Sequence, residues 1–103
     1  MTYIVRETQV DKQNRVNING LYKQDQMPKE VVLVVDAERE AILILKASDA
    51  TDFGITQKVD EKSRLIIPGW IMKNVGNNKD FFLTVEDGKR YLSPVTGDIL
   101  PRS

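Results

Sequence analysis

A run of eleven residues occurs twice in this chain. Val10-Asp11-Lys12-Gln13-Asn14-Arg15-Val16-Asn17-Ile18-Asn19-Gly20 aligns without a gap on Val59-Asp60-Glu61-Lys62-Ser63-Arg64-Leu65-Ile66-Ile67-Pro68-Gly69, with valine, aspartate, arginine, isoleucine and glycine recurring at one spacing. A single Asp-x-x-x-Arg is common on unrelated surfaces. Two in register, each after a valine and before a β-branched strand, mark an internal duplication. In a chain of 103 residues each half is too small to support a core comfortably alone, so residues 1–103 are expected to form a single domain. The first repeat spans 3–46 and the second 54–94, joined by a short polar linker at 47–53.

Each repeat reads as mainly β with one short helix. Residues 2–10 and 54–59 alternate and are rich in Ile, Val, Thr and Tyr, as half-buried strands are. Polar bends at 11–14 and 60–63 follow, and then second short strands at 15–18 and 64–67. Pro68 suits a helix start, and Gly76 with Asn77 suits its stop, so Trp70, Ile71 and Val75 would form an apolar helical face. Leu21, Tyr22 and Met27 offer a poorer equivalent before Pro28. Each repeat then closes with a hairpin. Residues 31–35 and 41–45 flank 36–40, and 81–85 and 90–92 flank 86–89, where Asp87-Gly88 is a strong turn signal. The unbroken apolar run at 31–35 suggests burial on both faces. Ile99 and Leu100 suggest a brief extra edge strand. Because one such unit leaves apolar faces uncovered, the two are expected to pair as a pseudo-dimer within the chain.

Composition removes several functions. There is no cysteine and no histidine, hence no thiolate chemistry, no Ser/His pair and neither of the commonest metal ligands. No enzyme, no cofactor and no metal site is expected. Apolar runs are too short to span a bilayer as helices, and Arg6 and Glu7 interrupt the only apolar stretch near the start, so a cytoplasmic protein without membrane attachment is expected. Fifteen basic and fifteen acidic residues cancel, which leaves any attraction to nucleic acid to local arrangement. That arrangement is uneven. Residues 54–79 hold Lys58, Lys62, Arg64, Lys73 and Lys79 against Asp60 and Glu61, whereas 31–53 hold Arg39 and Lys46 against Asp36, Glu38, Glu40, Asp49 and Asp52.

The stretch from Gly54 to Pro68, followed by a helix and an Asp-Gly hairpin, resembles the signature of the AbrB/MazE/SpoVT DNA-binding family. The likeness is close over 54–94 and looser over 3–46, where Asn19 stands at the proline position. Two such units in one chain are similar in plan to the MraZ regulators. The resemblance implies a swapped-hairpin barrel, formed here as an intrachain pseudo-dimer that is monomeric or dimerises further. It also implies a role as a transcription regulator that contacts double-stranded DNA through Arg15, Lys23, Lys58, Arg64 and Lys73. Gln57 and Thr8 occupy a position that is commonly basic in DNA-binding members.

The same residues have plainer roles. Arg15 and Arg64 are suited to phosphates and guanine edges, yet each can pair with Asp11 or Asp60 across its own bend; an aspartate that orients an arginine leaves some donors free. Trp70 is expected in the core, on the apolar face of its helix. Phe81 and Phe82 must point to opposite sides of a strand. Asp36, Glu38 and Glu40 lack the glycine turn of a calcium loop and read as a solvated hairpin tip. Asp25 and Glu30 are carboxylates with no evident pocket. A second function stands beside DNA binding: a protein-interaction module, antitoxin-like or adaptor, that has lost strong DNA contacts.

Overall fold

The computed structural model describes residues 2–22, 26–49, 54–76 and 79–95. Lys23, Asp25, Ile99, Leu100 and residues 50–53 of the linker lie outside the described residues.

Eight strands and one helix follow in order: β1 (Thr2–Gln9), β2 (Arg15–Asn17), β3 (Glu30–Asp36), β4 (Ala41–Lys46), a 3-10 turn at Ala47–Asp49, β5 (Ile55–Lys58), β6 (Arg64–Ile66), α1 (Gly69–Asn74), β7 (Asp80–Glu86) and β8 (Lys89–Pro94). Six strands form an open antiparallel sheet in the order β1-β7-β8-β4-β3-β5, and β2 pairs with β6 in a separate ribbon. Four of these pairings join the two halves of the sequence. β1 lies on β7, β5 lies on β3, β2 lies on β6, and β4 lies on β8. Two backbone bonds repeat the exchange: Val10 N–H donates to Lys79 O at 2.7 Å, and Val59 N–H to Lys29 O at 2.8 Å.

Strand alternation selects the core. Val31, Leu33, Ile42, Ile44, Phe81, Leu83 and Leu92 fill one face of the sheet, and Val16 and Leu65 cover them from the inner face of the ribbon. Ile18, Leu21, Tyr22, Ile67, Ile71, Met72 and Val75 complete one buried cluster drawn from both halves. Arg90 of β8 adds a tie, donating to Leu21 O at 3.1 Å and lying 4.3 Å over the Tyr22 ring. As expected, Phe81 is buried and Phe82, facing the other way, only half-buried. Val32 is buried on that second face too, beneath Gly54, where an added Cβ would stand 2.0 Å from Val32 Cγ1.

The helix expected between Pro68 and Gly76 forms, and Gly76 ends it at φ 79°, donating to Lys73 O at 3.2 Å. Residues 23–25 of its expected counterpart in the first repeat lie outside the described residues. Asn19 to Tyr22 run as turn and bend, because Gly20 takes φ 94° where the second half continues through Pro68 into a helix. The strand expected at 2–10 forms as β1, and the register of β1 on β7 shifts between Ile4 and Arg6, leaving Val5 in a bulge.

Candidate nucleic-acid interface

The two bends fold alike, atom for atom. Asp11 Oδ1 accepts the backbone N–H groups of Gln13 and Arg15, and its Oδ2 accepts Arg15 Nε at 2.8 Å. Asp60 accepts from Lys62, Arg64 and Arg64 Nε in the same pattern, each at 2.9 Å. Asp11 N–H donates to Arg15 O and Asp60 N–H to Arg64 O, closing each bend, while Asn14 and Ser63 take the left-handed region at φ 60° and 64°. The repeated Asp-x-x-x-Arg therefore has a plain local cause. A carboxylate three atoms from the backbone satisfies the N–H groups of a tight turn and fixes the arginine that leaves it. The Arg15 backbone N–H foremost, with the Gln13 N–H and the Arg15 side chain, holds the Asp11 carboxyl below its usual 3.8 against the opposing effect of desolvation. The Arg64 N–H leads the same lowering at Asp60, followed by the Arg64 side chain and the Lys62 N–H.

The ribbon then brings the two arginines together. Arg15 stands opposite Ile66 and Asn17 opposite Arg64, with Val16 and Leu65 between them. Val16 and Leu65 are buried, so Arg15, Asn17, Arg64 and Ile66 all point outward. Bonds from Ile67 N–H to Asn14 O and from Ile18 N–H to Ser63 O, both 2.8 Å, bracket the ribbon. The outward pairs are thus the non-hydrogen-bonded ones, whose side chains lie closest. Arg15 and Arg64 are diagonal neighbours, separated by about 7–8 Å in such a pair. Each engages its aspartate through Nε; among the described residues, no protein partner occupies the terminal Nη atoms.

Other expected contacts are placed less tightly. Lys58 is exposed on the edge strand β5, opposite Glu30. Lys73 is exposed in the last turn of α1, and Lys23 lies outside the described residues. Lys12 and Lys62, at the bend tips, are exposed as well, and Lys29 and Lys79 occupy matching places beside Val59 and Val10. Glu30 does line a groove, of about 710 Å³, between Met27 to Glu30 and Lys58 to Glu61 at the second bend.

The acidic tips lie elsewhere. Arg39, in the first hairpin turn, forms ion pairs with Asp36 and with Glu86 of the second hairpin and lies 5.1 Å over the Tyr91 ring. Tyr91 neighbours the core residue Leu92 and so points away from the ribbon. Arg39 and Tyr91 therefore meet on the face of the sheet away from the ribbon.

Trp70 is a correction: it is 50% exposed, not core. The buried pair Ile71 and Met72 corresponds to Leu21 and Tyr22, which directly follow Gly20, whereas Trp70 intervenes after Gly69. Trp70 is thus one extra residue in the second half, displaced outward because its neighbours hold the inward places.

The flanks of the bends differ too. Arg6 reaches across the edge of β1, its Nε donating to Asn19 O at 2.7 Å, Nη1 to Glu7 O at 3.1 Å, and Nη2 to Asn17 O and Oδ1 at 3.0 and 2.8 Å. Thr8 Oγ1 adds a bond to Asn17 O at 2.9 Å. Ile55, Gln57 and Ile66 replace Arg6, Thr8 and Asn17 in the second half, and Ile66 is 51% exposed.

Among the described residues, no group of three or more acidic, histidine or cysteine side chains is placed to hold a metal ion, and no helix is long and apolar enough to cross a membrane. No protein-family model matches this chain, and no curated protein does either.

Proposed function

We propose that this chain is a DNA-binding transcription regulator of the AbrB-like, swapped-hairpin type, in which two repeats form an intrachain pseudo-dimer. The observation that carries the reading is the ribbon: two arginines side by side on one outward face, each oriented by an aspartate through Nε and each with its Nη atoms unengaged among the described residues. The reciprocal pairings β1 on β7, β3 on β5 and β2 on β6 support a barrel built by exchange between the halves. In this reading Arg15 and Arg64 read guanine edges, for which a planar fork of donors is suited, while Lys58 and Lys73, with Lys12 and Lys62, neutralise phosphates. Lys23 belongs to the same proposed set by its sequence position. A neutral chain can bind this way because local arrangement, with Arg15 and Arg64 on one face of the ribbon and Lys12 and Lys62 exposed at the bends, matters more than total charge. No catalytic role, metal or cofactor enters the mechanism, and the location is the cytoplasm, where DNA is accessible.

Fluorescence anisotropy with a generic labelled duplex tests the reading. Neutralising about four phosphates makes affinity fall roughly a hundredfold between about 50 and 200 mM salt. Arg15→Ala and Arg64→Ala each cost about 1–3 kcal/mol of affinity and relax specificity, whereas Lys12→Ala with Lys62→Ala reduces the salt slope by about two units. Absence of salt-sensitive binding sinks the proposal. Trp70 favours a second reading, a protein-interaction module of antitoxin or adaptor type, since a half-exposed tryptophan is a common anchor of protein interfaces. Binding to a protein partner that Trp70→Ala abolishes, without salt-sensitive DNA binding, would replace the first reading by the second.

A further inference from the structure

The two arginines are matched, but their neighbours on the ribbon are not. Opposite Arg64 stands Asn17, whose side-chain oxygen is saturated within the protein: Oδ1 accepts from Arg6 Nη2 and from Asn19 N–H, both at 2.8 Å, while Nδ2 donates to Lys62 O at 3.1 Å. Opposite Arg15 stands Ile66, a branched apolar side chain 51% exposed, on the same outward face and in a non-hydrogen-bonded pair. Side chains in such a pair lie about 4.5–5.5 Å apart at Cβ. That spacing exceeds the rise between neighbouring base pairs, about 3.4 Å along each strand, by an amount the long arginine side chain can take up.

We infer that Ile66 makes the DNA site asymmetric: Arg15 and Ile66 together read a guanine with an adjacent thymine, whereas Arg64 beside Asn17 reads a guanine alone. The inference rests on the DNA-binding reading above and deepens it. The chemistry follows from what the major groove displays. Guanine offers two acceptors, O6 and N7, to a guanidinium, and thymine alone offers a methyl group to an apolar side chain. Asn17 is by type an adenine reader, but its oxygen already accepts two hydrogen bonds inside the protein, so it cannot make the paired contact that distinguishes adenine. Ile66 presents an uncovered apolar side chain on the face that carries Arg15. Its exposure does not arise from a failure of packing, because Leu65 and Ile67 on either side are buried at 1% and 0%.

The test uses the whole chain and a pool of random duplexes. Selection is expected to enrich a site with two guanine-bearing arms, of which one carries a thymine beside its guanine. Replacing that thymine by deoxyuridine deletes one methyl group and is expected to weaken binding about fourfold, the equivalent of one buried methylene-sized group; deoxyuridine at the matching place in the other arm has no effect. Ile66→Ala, which removes the apolar contact without supplying a new base reader, is expected to abolish the deoxyuridine effect and the thymine preference, with a thermal melt like that of the parent. A symmetric site from the parent chain, or a deoxyuridine effect that survives in Ile66→Ala, overturns the inference and leaves the DNA-binding reading standing. A pool that yields no salt-sensitive binding at all overturns both.

Discussion

The two bends and the strands that flank them behave in opposite ways. Residues 11–15 and 60–64 reproduce one another bond for bond, down to a left-handed residue before each arginine. Their flanks share only a backbone path. Arg6 clamps the first edge to Asn17 and Asn19, while Ile55 faces the second, and Trp70 is inserted in one half alone. The difference teaches which atoms the arrangement needs. A carboxylate, three N–H donors and a strand pairing suffice to aim an arginine, and the surroundings are free to diverge.

The largest test of that comparison concerns whether the halves share one core. Phe81 and Val31 begin the equivalent strands β7 and β3 and are both fully buried. Phe81→Ala is expected to cost about 3–5 kcal/mol and Val31→Ala about 2 kcal/mol, each within a single denaturant transition. Two transitions, one unmoved by the substitution, would show independent halves. Next in size is a contrast at the edges. Gly54→Ala forces a Cβ to within 2.0 Å of Val32 and 3.2 Å of Val34, with an expected cost of about 1–3 kcal/mol in denaturant unfolding. The equivalent Val5 already carries a side chain within its bulge, and Val5→Ala is expected to cost about 1 kcal/mol.

The smallest effect probes what is alike. Asp11 and Asp60 have their folded-state pKa lowered below 3.8, so their contribution to stability is complete above that value and is lost as pH falls through the lowered values. Thermal melting of the parent chain is expected to fall more steeply on acidification below 3.8 than that of Asp11→Asn with Asp60→Asn, which keeps the turn acceptors but not the charge. Parallel curves would remove the ion pairs from the account.

Much of the fold was legible in the chain because strands announce themselves by alternation and turns by Asp, Asn and Gly. The hairpins at 36–40 and 86–89, the helix between Pro68 and Gly76, and the Asp–Arg bends follow from local chemistry alone. Strand partners did not, since β1 and β7 lie far apart in sequence and nothing local names the pairing. Trp70 misled for a definite reason. Helical periodicity placed it with Ile71 and Val75, but a six-residue helix buries only Ile71 and Met72, and the residue before them is left outside. Arg6 gave no signal either, because an arginine in an edge strand reads as solvated until the segment it clamps is seen beside it.

Cross-linking across the ribbon tests the arrangement most directly. The chain has no native cysteine, and Arg15 and Ile66 form a close outward pair between β2 and β6. Arg15→Cys with Ile66→Cys is expected to oxidise within a single chain, giving a compact monomer that resists denaturant more than its reduced form. A pair that stays reduced, or that links only different chains, would contradict the joining of the two arginine bends on one face of one molecule.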